Sequence, residues 1–363
     1  MNYESHTLQV RREALADTRI DTVIGPAPAE GEIVVAVDKF ALTANNITYA
    51  IVGERIGYWQ FFPAADGWGV IPVWGFADVI ESAHPDIKVG ERLYGYWPMG
   101  THLTMQPVGI SPRRLFDGSA HRRELPKTYN GYARVSHEEG YDSALDNARM
   151  LLFPLYATSY CLYDFLLANE WFGAEQVLVL SASSKTAIGL GYALADDDSG
   201  RHAVGVTSPG NVERVTALGL YDSVASYDNL AAIDADKPTV IIDMSGNGNI
   251  LAELHGLLGD NMRYTSNVGV THYAHNRMAE GFIAERSKMF FAPGHMEMRA
   301  AEWGPGEFER RALAFWHHAA TRSDGWLNYE HAGGMAALTE HYLKQLGGDF
   351  DPHTGLIVTP TGD

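Results

Sequence analysis

The chain has 363 residues, more than one typical core holds and about right for two domains. Hydrophobic residues make up 46% and charged residues 20%, a globular composition rather than a disordered one. A net charge of −18 argues against a general nucleic-acid binder, which needs clustered Lys and Arg, and against binding to anionic membrane surfaces.

No uninterrupted apolar stretch reaches the roughly 18–20 residues that span a bilayer. The opening residues, MNYESHTLQVRREAL, lack the apolar core of a signal peptide. Cys161 is the only cysteine, so an intramolecular disulfide and a cysteine-rich zinc site are both excluded. A cytoplasmic protein is the simplest reading of these features.

To about residue 150 the chain reads as β-rich. Glu32–Asp38 is dense in β-branched residues, Val70–Ile80 is an apolar run broken by Pro and Gly, and Gly90–Trp97 is a short strand between glycines. Many short strands with such punctuation suggest a small barrel. Residues 107–130 are polar, basic and without period, and read as a long loop or insertion. Leu155–Ala168 then begins an alternation: a helix, a strand at Gln176–Leu180, a helix at 185–195, a strand at His202–Thr207, a helix at 210–219, and strands at Ser223–Ala225, Thr239–Met244 and Arg263–Val270, with a helix at 249–259. Strand–helix alternation at this spacing predicts a parallel sheet with crossover helices. Continuous apolar strands such as Thr239–Asp243 suit a sheet covered on both faces. Helices follow at 306–320 and 333–346, and Gly355–Val358 is a last strand.

The turn after the first strand of this alternation reads Ser181-Ala182-Ser183-Ser184-Lys185-Thr186-Ala187, without glycine. A Walker-type loop needs Gly where Val179 and Ser184 stand. A Ser-x-x-Lys nucleophile fails because Ala182 occupies the serine position. Two readings remain open: a plain βα turn with a serine N-cap, and the first turn of a dinucleotide fold, where N–H groups at a helix start hold pyrophosphate. Serine is small enough for close approach, and its hydroxyl adds a donor. Position in the alternation favours the second. Ser181, Ser183, Ser184, Lys185 and Thr186 are then cofactor-binding candidates. The second strand ends Val206-Thr207-Ser208-Pro209-Gly210-Asn211, without the acid that selects NAD through the ribose 2′-OH. Hydroxyls and an amide at Thr207, Ser208 and Asn211, with Arg214 one turn on, suit a 2′-phosphate, so NADP(H) is the expected cofactor.

Several segments resemble one family in order. Glu32–Asp38 followed by Ala41–Gly53 resembles the first hairpin region of medium-chain dehydrogenases/reductases. Val89–Gly95 resembles their Val-Gly-Asp-Arg-Val-x-Gly strand, and Gly100–Met105 the strand that follows. Thr158-Ser159-Tyr160, Ala217–Val224 followed by Ser226-Tyr227, and Ile241–Gly246 match further family segments. The resemblance implies an α/β chain with two domains. Residues 1–150 and 322–363 would form a GroES-like β-barrel catalytic domain, and 151–321 a Rossmann doubly wound parallel sheet. It also implies hydride transfer in the cleft between them, and a homodimer through the Rossmann sheet edge. The zinc-free, quinone-reductase-like branch is the nearest in kind, since no Cys stands in Leu42–Asn46, where family alcohol dehydrogenases bind catalytic zinc. The string at 181–187, with Trp-Gly-Pro-Gly at 303–306, is similar to a divergent branch known as a domain of unknown function.

On this resemblance Tyr49 falls near the nicotinamide, where its hydroxyl would bond a substrate carbonyl or relay a proton. Asn45 and Asn46 compete for a family Asn position, with Asn46 preferred. Tyr132, ending Lys127–Tyr132, is a third catalytic candidate. Tyr227, Ser245 and Gly269 join the cofactor-binding set. The aromatic stretch Tyr58–Pro63 with Trp68 and Trp74 walls an apolar pocket or fills a barrel core. Fifteen histidines include His272 and His275 at i, i+3, but no metal site is expected. The expected function is an NADPH-dependent, zinc-free reduction of a carbonyl-conjugated C=C bond or quinone, on a small and apolar carbonyl substrate. A ketone or aldehyde reductase, and a cofactor-free descendant binding a small molecule or partner, are the alternatives.

Overall fold

The computed structural model describes residues 3–268, 281–304, 306–349, 351 and 354–362. The chain divides into two compact units, Met1–Leu151 with Ser323–Asp363, and Leu152–Arg322.

In the first unit, Ile33–Leu42 is the central strand. It pairs antiparallel with Pro72–Ser82, with His102–Met105 and with the late strand Thr354–Thr359. The run from Ile33 to Leu42 is almost wholly buried, which is what a strand covered by neighbours on both sides requires. The sheet continues from Pro72–Ser82 through Arg92–Pro98, Gly131–Arg134, Arg114–Asp117 and Pro107–Val108. A second sheet orders Ala14–Gly25, Tyr3–Arg11 and Trp68–Gly69. The core between them gathers Val35, Val37, Phe40, Val73, Trp97 and Met105.

Two expectations are corrected here. Residues 107–130 are not an irregular loop: Arg114–Asp117 pairs antiparallel with Gly131–Arg134, and Lys127–Asn130 is a helical turn. Polar composition hid this because the segment is held by buried charge. Arg122 is buried, with Nε 3.3 Å from Asp117 Oδ2 and Nη1 2.6 Å from the Tyr132 hydroxyl. The region after Leu42 is a helix, Ala44–Ile51, not a hairpin, because Thr43 and Asn46 close a capping box at its start.

The helix expected from Leu155 runs Asp146–Ala168. With the preceding turn, Ser143–Ala168 is long and apolar enough to cross a membrane by length and composition alone. Asp164 on its inner side, however, bonds His295 Nε2 and Arg299 Nε, each at 2.6 Å. That ion-paired carboxylate, with the neighbouring buried Cys161 and Leu162, is the signature of a core helix.

The second unit is built on a six-stranded sheet, every pair parallel. Its order is Ser223–Ser226, His202–Thr207, Gln176–Leu180, Thr239–Asp243, Met262–Val268, Ser287–Phe290. By chain position that is third, second, first, fourth, fifth, sixth, the doubly wound order whose switch point lies beside the first strand. All five residues of Gln176–Leu180 and of Thr239–Asp243 are buried, consistent with helices on both faces. The strand Ser287–Phe290 and helix Ala292–Trp303 were not legible as elements in the sequence. The consequence for function is geometric: parallel strands bring Leu180, Thr207, Ser226, Asp243 and Val268 to one edge.

His255 is buried in this unit, its Nδ1 accepting the Ile283 N–H at 2.9 Å and its Nε2 3.0 Å from Thr265 Oγ1. Burial holds its pKa down at about 4, against an ordinary 6.5. The unfolded chain therefore binds a proton that the folded one refuses, so stability is complete above pH 6.5 and is lost as pH falls toward 4. Thermal melts over that window should show a falling midpoint in wild type and a flatter profile in His255→Asn; equal slopes would refute the assignment.

Candidate functional site

Unit one carries an aromatic cluster. Strand register places Trp74 opposite Tyr96 and Phe76 opposite Tyr94, so residues two apart share a face. Tyr96 is its centre, with ring centroids 5.0 Å from Trp74, 5.2 Å from Phe61 and from Tyr129, and 5.8 Å from Tyr49. Tyr49 reaches it from the helix Ala44–Ile51 and packs 4.7 Å from Tyr58. Tyr58 donates to the Tyr129 hydroxyl at 3.2 Å. Burial raises the pKa of Tyr49, Tyr58, Tyr96 and Tyr129, so all four remain neutral phenols near pH 7. Among the described residues the Tyr96 hydroxyl is buried without a partner, and the Trp74 indole N–H meets the Tyr49 hydroxyl. The cluster thus keeps one buried hydroxyl, that of Tyr96, with bonding capacity to offer a ligand's polar atom. Tyr96 was missed as a candidate; its alternation with Tyr94 along Arg92–Pro98 was the available signal.

Two catalytic candidates in this unit bond within the protein. Tyr132 is fully buried, donates to the Tyr96 carbonyl at 2.8 Å and accepts from Arg122, and burial pushes its pKa up to about 12. Both bonding directions of its hydroxyl are taken, so it is a core residue. The phenol from that segment that joins the cluster is Tyr129. Asn46 is spent on structure: Oδ1 accepts the Thr43 N–H at 2.6 Å and Nδ2 donates to the Pro72 carbonyl at 2.8 Å.

Unit two places the 181–187 turn at the carboxyl edge of the sheet, ahead of the helix Lys185–Ala195. Ser184 is the N-cap, its Oγ accepting the Ala187 N–H at 3.3 Å. Lys185 and Thr186 open the helix, and the Thr186 carbonyl accepts from Ser159 Oγ at 2.7 Å, tying the turn to Asp146–Ala168. Ser181 has φ of +58°, the left-handed region where a dinucleotide turn places glycine. Its N–H donates to the Tyr227 hydroxyl at 2.7 Å, and Tyr227 also meets Ser245. Ser245 is held in turn by Asp243, whose Oδ1 accepts the Ser245 N–H at 2.8 Å and its hydroxyl at 2.6 Å. Burial pushes the Asp243 pKa up.

Ser183, Thr207, Ser208 and Asn211 come together. Thr207 Oγ1 donates to Ser183 Oγ at 3.4 Å, and Asn211 Nδ2 reaches Ser183 Oγ at 3.3 Å and Ser208 Oγ at 2.9 Å. Gly269, His272 and His275 lie outside the described residues. The close packing that fingerprint glycines permit is supplied elsewhere. A Cβ on Gly189 would stand 2.6 Å from Tyr156 and Ser159, and one on Gly205 would stand 3.1 Å from the Ala182 Cβ. Among the described residues no three His, Cys, Asp or Glu side chains converge on a metal position.

The left-handed serine costs about 1 kcal/mol relative to glycine. Ser181→Gly should therefore raise stability by about that amount in denaturant titration. Tyr227→Phe should lower it by ~1–2 kcal/mol by orphaning a backbone N–H. A destabilised Ser181→Gly variant would refute the strain.

No curated protein sequence matches the chain. Solved structures do. CurA from Vibrio vulnificus in complex with NADPH aligns at a TM-score of 0.61 with 12% identity, covering 99% of this chain and 100% of that one. S. aureus TarJ in complex with NADPH aligns at 0.60 with 8% identity, covering 98% and 99%. The quinone oxidoreductase of Coxiella burnetii aligns at 0.53 with 12% identity over the same shares. At such identities the likeness establishes the fold, the α/β architecture of GroES-like and Rossmann domains expected from the sequence. The family described as "Protein of unknown function (DUF2855)" matches residues 40–351, and the chain belongs to it as a divergent branch with the medium-chain dehydrogenase/reductase fold.

Proposed function

We propose that the protein is an NADPH-dependent oxidoreductase acting on a small carbonyl compound. The observation that carries this is the polar cluster Ser183, Thr207, Ser208 and Asn211 at the switch point of a doubly wound sheet, next to a helix start. Four donor groups and no carboxylate at the end of the second strand suit a ribose 2′-phosphate. The helix beginning at Lys185 presents its first N–H groups to pyrophosphate. NADPH-bound CurA and TarJ, similar in fold, support the same reading. The cofactor would supply the hydride. The rest falls to the chain: Ser184, Lys185 and Thr186 hold phosphate, and Tyr227 with Ser245 shapes the turn. We assign 1–150 with 322–363 to the catalytic domain and 151–321 to the cofactor domain, as the resemblance implies.

In the reaction we assign Tyr49 to the substrate carbonyl. A phenol whose pKa burial lifts far above 10 stays protonated and donates to a carbonyl oxygen as negative charge builds there. The aromatic cluster around Tyr96 favours a planar, conjugated acceptor, hence a carbonyl-conjugated C=C bond or quinone, and the chain's cysteine usage favours a zinc-free mechanism. Reduction of a ketone or aldehyde differs by which bond is lost, C=O rather than C=C, and product analysis separates the two. The exposed Met289 and Phe291 beside the sheet-edge strand Ser287–Phe290 support a homodimer through that edge. One observation favours a second reading, a cofactor-free binding protein: the Tyr227 hydroxyl occupies a backbone donor of the turn.

Nicotinamide fluorescence on titration with NADPH should saturate. No binding at millimolar cofactor would sink the oxidoreductase and favour the second reading. Ser208→Asp should weaken NADPH at least about tenfold and narrow its advantage over NADH, because the acid repels 2′-phosphate and accepts from a 2′-OH. Tyr49→Phe should slow turnover about 100-fold with NADPH binding unchanged. In wild type no loss of rate should arise from Tyr49 ionisation up to pH 10, since its pKa is raised above that value. Unchanged turnover in Tyr49→Phe would remove Tyr49 from the mechanism.

A further inference from the structure

We propose that Ala14–Gly25 is a self-pairing edge: two copies of the chain join their three-stranded sheets through it into one six-stranded sheet. The strand is twelve residues long and has Tyr3–Arg11 on one side. Among the described residues no strand pairs with its other side. It exposes Ile20, Val23 and Ile24, at 39%, 51% and 62%, and holds no proline or lysine, the residues that usually blunt such an edge.

Hydrogen bonding on the neighbouring strand shows which backbone groups are directed outward. Leu8 donates its N–H to Met99, and the His6 carbonyl accepts from Thr101, so the even residues of Tyr3–Arg11 turn away from Ala14–Gly25. The odd ones face it, and the register pairs Ser5 with Val23, Thr7 with Asp21 and Gln9 with Arg19. From Thr18 to Gly25 the odd residues are therefore bonded inward, the register shifting below Thr18. The N–H and C=O groups of Thr18, Ile20, Thr22 and Ile24 point to the open side.

An antiparallel pairing with a second copy about a two-fold axis at Ile20 uses those groups. Ile20 meets Ile20 of the second copy, and Thr18 meets its Thr22, as hydrogen-bonded pairs. Between them Arg19 falls opposite Asp21 of the second copy, and Asp21 opposite its Arg19, at the close, non-hydrogen-bonded positions. Within one chain these charges already lie on one face, both bonded to the Gln9 amide: Arg19 Nη2 at 2.7 Å and Asp21 Oδ2 at 3.1 Å. The strand is thus complementary to itself in backbone phase, in charge and in apolar contact, the requirement of an isologous interface. This edge is independent of any contact made by Ser287–Phe290 and of the proposed cofactor chemistry.

Sedimentation velocity over a concentration series tests it. Ile20→Pro removes only an outward N–H, so the bonds of the strand to Tyr3–Arg11 survive. It should halve the particle mass with an unchanged far-ultraviolet circular dichroism spectrum. Arg19→Asp should weaken assembly about tenfold by setting like charges opposite each other. Arg19→Asp combined with Asp21→Arg should restore it. A wild-type monomer at every concentration, an unchanged mass in Ile20→Pro, or no rescue by the double variant would overturn the proposal.

Discussion

The bond from the Ser181 N–H to the Tyr227 hydroxyl is the constraint on which the candidate nucleotide edge depends. A serine in left-handed backbone needs compensation. A phenol from just beyond the third strand accepts its N–H, and Ser245, beyond the fourth, meets the same phenol. Ser245 in turn is fixed by the buried carboxylate of Asp243. Loops after three different strands are thereby tied together around one turn. The glycine-free sequence keeps the turn's path through side-chain bonds where a glycine turn would keep it through backbone freedom alone.

A different economy governs the first unit. Arg134 Nε lies 2.5 Å from Glu91 Oε1, and Arg149 Nη1 lies 2.8 Å from Glu138 Oε1. Arg92 contacts Asp38, Asp78 and Asp146. Where such pairs are buried they lose hydration, and that loss is offset only when every partner is in place. Removing one partner is therefore costlier than the net worth of the pair. Around Tyr96 the pattern reverses: its buried hydroxyl has no partner among the described residues, which makes this cluster a candidate for ligand contact rather than a closed core.

Elements with strong periodicity were legible. The helix 185–195, the strands Gln176–Leu180 and His202–Thr207, and the order of the alternation came through because buried parallel strands are long apolar runs separated by amphipathic helices. Of the candidate site, Thr207, Ser208 and Asn211 were read as one group and Ser183 as part of the turn; the structure sets all four side by side. Arg114–Asp117 was not legible, since its stability comes from Arg122, whose side chain in isolation signals a solvated loop. Tyr132 and Asn46 read as chemistry, and their polar atoms bond Arg122, Thr43 and backbone carbonyls; a hydroxyl or amide has the same sequence signature whether its partners are a ligand or the backbone.

Local pattern by itself determined a β-rich first part, a parallel sheet with crossover helices after it, the position of the turn and the absence of an acid after the second strand, because each depends on residues within one element or its immediate neighbour. Tertiary structure alone decided which hydroxyls are spent and which are open, why a serine can hold a glycine's backbone, and which edge of Ala14–Gly25 turns outward. Those properties depend on partners tens of residues away: Tyr227 for Ser181, Arg122 for Tyr132, Thr101 for His6. A hydrogen bond has a direction and a length that exist only once both ends have been brought together.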